Sequence, residues 1–129
     1  NVGNANSSPN NFYTYNNLLF FSANNGTNGI ELWSSDGTAT GTNLLKDINV
    51  GNQSSTPNNF FEFNNYLYFV ANNGFDGNEL WKSNGSKEGT LELKRLYHDY
   101  ENVDIEAQAE LNGQLFFGFI FVLLFIILT

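Results

Sequence analysis

Glu31-Leu32-Trp33-Ser34-Ser35-Asp36-Gly37-Thr38, closed by Gly41-Thr42, returns 48 residues later as Glu79-Leu80-Trp81-Lys82-Ser83-Asn84-Gly85-Ser86 with Gly89-Thr90. Outward from this pair, residues 1–48 lie over 49–96 without a gap and agree at 27 of 48 positions. A duplicated chain is read by its period, because each copy is a unit that cannot bury its apolar surface alone and needs its neighbour.

The residues around the signature divide each copy into four short strands. Phe12-Tyr13-Thr14-Tyr15 and Phe60-Phe61-Glu62-Phe63 follow Ser/Pro/Asn loops in which Pro9 and Pro57 coincide. Asn16-Asn17 and Asn64-Asn65 then read as two-residue hairpin turns, where Asn is favoured because both central residues can take positive φ. The second strand, at 18–23 and 66–71, is apolar at nearly every position, so both of its faces need cover. Asn24-Asn25-Gly26 and Asn72-Asn73-Gly74 end it. Gly29 or Gly77 opens a third strand, where alternation puts Glu31 and Trp33 on one face and Leu32 on the other. Asp36-Gly37-Thr38 and its copy Asn84-Gly85-Ser86 form the next turn, and a fourth strand is predicted over 43–48 and 91–96.

Four antiparallel strands per copy, with a middle strand covered on both faces, predict an all-β chain: an incomplete β-propeller-like array of two full blades plus a partial third. The blades span 1–48 and 49–96. Residues 97–110 read as an acidic linker or degenerate strand, because Asp99, Glu101, Asp104, Glu106 and Glu110 replace the earlier Gly/Pro punctuation. From 111 to 129 a third copy starts, with Leu111-Asn112-Gly113-Gln114-Leu115-Phe116-Phe117 over Phe63-Asn64-Asn65-Tyr66-Leu67-Tyr68-Phe69, and ends in the apolar tail 119–128. As a helix, residues 115–128 would reach roughly 21 Å, short of a ~30 Å hydrocarbon core, so a conventional membrane span is not expected. The tail has three readings: a buried strand, the out-of-frame end of an interrupted gene, or a membrane-associating end.

A net charge of −8 with only five basic residues leaves no Lys/Arg cluster to displace counterions from phosphates, which argues against nucleic acid and against an anionic membrane surface. Cysteine is absent, so disulfides and thiolate metal sites are excluded. With no methionine and no visible signal peptide, the chain reads as a processed product or a piece of a longer one. Abundant Asn and 16% aromatic residues suit pleated sheets joined by tight turns.

The pattern Glu-Leu-Trp, two variable residues, Asp-Gly-Thr, two variable residues, Gly-Thr, then an apolar strand ending near Lys46-Asp47-Ile48, resembles the ELWxxDGT repeat family. The resemblance covers residues 1–96 and part of 111–117, and the second copy departs from it at Asn84 and Ser86. It implies an exported, extracellular or cell-surface repeat protein of propeller-like architecture, and offers no catalytic residues to carry over.

The structural signature positions are therefore Glu31, Leu32, Trp33, Asp36, Gly37, Thr38, Gly41, Thr42, Glu79, Leu80, Trp81, Gly85, Gly89 and Thr90, read first as scaffolding. An Asp-Gly-Thr turn is explained by side-chain acceptance of local backbone N–H groups. Glu31 and Glu79 need partners to offset desolvation. Trp33 and Trp81 are core plugs or sugar-stacking platforms. Asn24, Asn28 and Glu31, or Asn72, Asp76 and Glu79, alternate like calcium ligands, but most are neutral amides that suit a hard dication poorly. His98 has no Ser, Cys or metal-ligand partner at informative spacing. No nucleophile elbow, phosphate loop or zinc signature occurs, so no enzyme, cofactor or metal is expected. The sequons at Asn6, Asn25, Asn52 and Asn84 matter only in a eukaryotic secretory cell.

The expected function is a non-enzymatic extracellular repeat module giving a rigid surface for adhesion or protein assembly. Its expected partners are other repeats, other proteins, or a second copy through self-association. The alternatives are a carbohydrate-binding module using Trp33, Trp81 and the Asn-rich loops, or a truncated or frameshifted remnant of a larger repeat protein.

Overall fold

Each full copy of the repeat folds into one four-stranded antiparallel meander, as the period predicts. A computed structural model describes residues 6–93 and 105–119, and these contain strands and turns but no helix. The first sheet comprises β1 (Asn10–Tyr15), β2 (Leu18–Asn24), β3 (Ile30–Ser35) and β4 (Asn43–Lys46), paired in sequence order. The second repeats it with β5 (Asn58–Phe63), β6 (Tyr66–Asn72), β7 (Asn78–Ser83) and β8 (Leu91–Glu92). Neither sheet closes into a barrel. A separate hairpin pairs β9 (Ile105–Leu111) with β10 (Gln114–Phe119).

The turns form where the sequence places Asn and Gly. Asn16 and Asn17 take φ of 49° and 62°, and Asn64 and Asn65 take 47° and 59°, the left-handed pair that a two-residue hairpin needs. Asn112-Gly113 makes the third such turn, with φ of 54° and 72°.

The two sheets are stacked face to face. One face of the first sheet offers Tyr15, Phe20 and Leu32, flanked by Tyr13, Leu18 and Leu45, to Leu67, Phe69, Ala71 and Trp81 of the second. Phe20, Leu32, Leu67 and Phe69 are completely buried there. Burial of such side chains contributes about 1.5–3 kcal/mol each, which makes this layer the centre of the fold. Covered on both faces, β6 keeps Leu67 through Ala71 buried without a break, the pattern its apolar run predicts.

Sequence expectation and structure differ at two places. The first strand of each sheet begins two residues early, at Asn10 and Asn58, and carries a bulge that the sequence reading omitted. Asn11 (φ 55°) and Asn59 (φ 54°) supply the left-handed residue that a bulge of this kind needs. The fourth strands are shorter than expected: that of the first sheet stops at Lys46 and not at Ile48, because the Ile48 N–H is taken by the Glu31 carboxylate, and that of the second covers Leu91–Glu92 with Leu93 already outside it. Finally, of the two readings of residues 97–110, linker or degenerate strand, the second holds over 105–110, which belong to β9. Its acids occupy alternate positions, as Ile105, Ala107, Ala109 and Leu111 interleave with Glu106, Gln108 and Glu110. Residues 97–104, His98 among them, and residues 120–129 of the tail lie outside the described residues.

Candidate functional site

The best-connected charged group among the described residues is Glu31, completely buried in the middle of β3. Oε2 accepts the Ile48 N–H at 2.7 Å, the Asn49 N–H at 3.4 Å and the Ser55 hydroxyl at 2.6 Å. Oε1 accepts the Ser55 N–H at 2.9 Å. Ser55 is thereby fixed, and its carbonyl takes the Asn72 N–H of β6 at 2.9 Å. Ile30 completes the seam, its carbonyl accepting N–H groups from Ser55 at 3.0 Å and Thr56 at 3.1 Å. One carboxylate therefore organises the crossover from the first sheet to the second.

Burial pushes the Glu31 carboxyl above its ordinary value, while the bonds from Ser55, Ile48 and Asn49 pull it down and only partly offset that rise. Such a group is held by its bonds and has no free oxygen directed at solvent. Glu79, its repeat mate, is equally buried in β7 opposite Ala71.

The Asp-Gly-Thr turn and its copy form the same network. Asp36 Oδ1 accepts the Thr38 N–H at 2.9 Å and the Thr38 hydroxyl at 2.7 Å; Asn84 Oδ1 accepts the same groups of Ser86 at 3.0 and 2.8 Å. The hydroxyl in turn takes the Gly41 or Gly89 N–H at 2.9 Å. Thr42 donates to the Thr38 carbonyl at 2.7 Å, and Thr90 to that of Ser86 at 2.6 Å. At Gly41 and Gly89 a Cβ would collide with the Asp36 or Asn84 side chain, so any other residue would push that side chain off the bonds it accepts in the turn. Gly37 (φ 92°) and Gly85 (φ 95°) supply the left-handed residue. Since an amide oxygen serves as well as a carboxylate, this Asp acts as a local acceptor. Its exposed carboxyl is held below the usual range chiefly by the Thr38 hydroxyl bond.

Trp33 and Trp81 pair with Phe21 and Phe69 at identical register. Trp81 is buried, and its Nε1–H donates to the Ala71 carbonyl at 3.2 Å. Lys46 of the first sheet reaches across it, with Nζ 5.8 Å from the ring centroid and donating to the Thr90 carbonyl at 2.6 Å. Trp33 is half-buried as a residue, and its Nε1, shielded from solvent, has no hydrogen-bond partner among the described residues. Leu32 and Leu80 are both completely buried.

All the signature positions thus fall in strands or turns of the two sheets, where they serve packing and local bonding. The oxygens of the first calcium-like set are already engaged by the protein itself. Asn24 accepts from Gly26, Asn28 is bonded to Asn25 and Asp47, and Glu31 is spent on Ser55, Ile48 and Asn49. No group of three His, Cys, Asp or Glu among the described residues could hold a metal ion.

Sequence reasoning missed Ser35 and Ser83, whose hydroxyls bond Thr42 and Thr90 at 2.7 and 2.8 Å. It also missed Ser55 and Lys46. Each carried a signal, since Ser35 repeats as Ser83, Ser55 repeats Ser7, and Lys46 returns as Lys94.

In comparisons with known proteins, no family model, no curated protein and no solved structure matches the chain.

Proposed function

We propose that the chain is a non-enzymatic, extracellular repeat module whose sheets stack like blades of a propeller-type array and present a rigid surface for adhesion or protein assembly. One observation carries the reading: a whole face of the second sheet is covered by the equivalent unit before it, with Lys46 set over Trp81. In a chain whose polar signature groups are consumed by their own turns and crossover, repetition serves construction. The resemblance of residues 1–96 to the ELWxxDGT repeats supports export and surface display. A carbohydrate-binding reading keeps only Trp33, because Trp81 is buried and cannot offer its face to a sugar.

Antibodies raised against the purified chain test the location and role together. Labelling of intact source cells, removed by external protease, with adhesion blocked by the same antibodies, is the expected result. Label that needs permeabilised cells contradicts the reading. Saturable sugar binding abolished by Trp33→Ala would favour the carbohydrate alternative.

A further inference from the structure

We infer that the outward face of the first sheet is a docking surface for another four-stranded unit of this same repeat, one bearing an aromatic residue at the Tyr13 position and a lysine at the Lys46 position. The inference rests on the assembly reading above and names the partner. It comes from comparing one surface in its two copies. In the second sheet a row of rings crosses three strands, with Phe60 and Phe69 centroids 5.4 Å apart and Phe69 and Trp81 6.3 Å apart. The first sheet builds the same row: Phe12 and Phe21 are 5.7 Å apart, and Phe21 and Trp33 6.5 Å apart.

What differs is the cover. Over the second row the first sheet lays Tyr13, stacked on Phe60 at 6.4 Å, and Lys46, over Trp81 and bonded to the Thr90 carbonyl. Tyr15 adds its hydroxyl to the Asn65 carbonyl at 2.6 Å, and Asn11 donates its amide to the Pro57 carbonyl at 3.0 Å. Over the first row no described residue gives such cover: Phe12 is 58% exposed, Trp33 is half-buried, Thr42 is half-buried where Thr90 is fully buried, and Phe21, buried between its neighbours in the row, is still less enclosed than Phe69. The repeat mates of the bonded carbonyls belong to Thr42, Asn17 and Pro9.

The surface is therefore self-described, because the unit that fits it is the one already seated on its copy. An ammonium over an indole adds cation–π attraction, while the lysine stem shields the ring. A second copy of the whole chain does not supply such a unit readily. The matching face of its first sheet is occupied, and the corresponding residues of its second sheet, Phe61, Phe63, Tyr68 and Val70, are buried.

The test fuses an additional copy of residues 1–48 ahead of the full chain and follows hydrogen exchange at the Trp33 indole N–H, with Trp81 as internal reference. The expected result is a monomer in which Trp33 exchange slows at least tenfold, with most of that slowing lost when the added copy carries Lys46→Met. Trp33 exchange unchanged in a folded fusion overturns the inference, as does an unfused chain that already protects Trp33 by dimerising. If the added copy fails to fold, Lys46→Met in the unfused chain still decides: it should speed Trp81 exchange several-fold, and no change overturns the lysine's role. Cell labelling and adhesion are read independently, so failure here leaves the assembly reading separately testable.

Discussion

Trp33 and Trp81 occupy one repeat position, face the same phenylalanine partner and sit in strands of the same register, yet only Trp81 is buried and hydrogen-bonded. The local sequence sets the ring's direction, and the neighbouring sheet decides its environment. A signature residue in a repeat thus has two energetic values, one for a covered copy and one for an uncovered copy.

The strongest way to break that comparison is to truncate both rings. Trp81→Ala should cost about 3–5 kcal/mol in denaturant unfolding, the range for removing a large buried aromatic, and Trp33→Ala about half as much. Equal losses would mean that the covering sheet does not matter. Next comes Glu31→Ala, expected to cost about 3 kcal/mol, because the Ile48 amide and the Ser55 hydroxyl lose their short bonds to the carboxylate and a buried orphan costs about 1–3 kcal/mol, while the Ser55 N–H keeps the Ile30 carbonyl. A loss below about 1 kcal/mol would show the crossover to be held by other contacts. Lys46→Met is smaller, about 0.5–1 kcal/mol, since it removes a cation–π contact and one charged donor but keeps the stem.

Two carboxyls of the first sheet should give opposite pH slopes. The folded state holds the Glu31 proton more tightly than the unfolded chain does, because burial raises its value. Its contribution is therefore full below the ordinary carboxyl value and is lost as pH rises through the raised one. For Asp36, lowered by Thr38, the contribution is present above the ordinary value and lost as pH falls through the lowered one. Unfolding midpoints against pH should lose the first slope in Glu31→Gln and the second in Asp36→Asn. The smallest effect belongs to Asp36→Asn near neutral pH, where the midpoint should fall only slightly, because Asn84 already makes the same turn with an amide oxygen. A clear drop would give the carboxylate a role that its copy lacks.

Much of the fold was legible in the sequence because the repeat displays its own punctuation. Asn16-Asn17 and Asn64-Asn65 mark turns by their tolerance of positive φ, and the unbroken apolar run at 66–71 marks a strand covered twice. Less legible were features whose partners lie far along the chain. Glu31 implies that a buried carboxylate needs donors, but nothing local points to Ser55, 24 residues on. Asn11 and Asn59 looked like loop residues because a bulge uses the same backbone angles as a turn. β9 was only half legible, because the acids that replace the earlier Gly/Pro punctuation suit a linker as well as a strand, although alternation with Ile105, Ala107 and Ala109 is a strand pattern. As for the candidate site, the signature positions could be found from the repeat, but their difference in exposure could not, because exposure belongs to the neighbour and not to the motif.

The central claim is that equivalent sheets stack with the signature tryptophan as an interface plug, and it is tested most directly by hydrogen exchange at the two indole N–H groups of the unmodified chain in one sample. The account predicts strong protection at Trp81, which is buried and bonded to Ala71, and weaker protection at Trp33, whose N–H is shielded but makes no hydrogen bond among the described residues. Equal protection of the two, or stronger protection at Trp33, would contradict it.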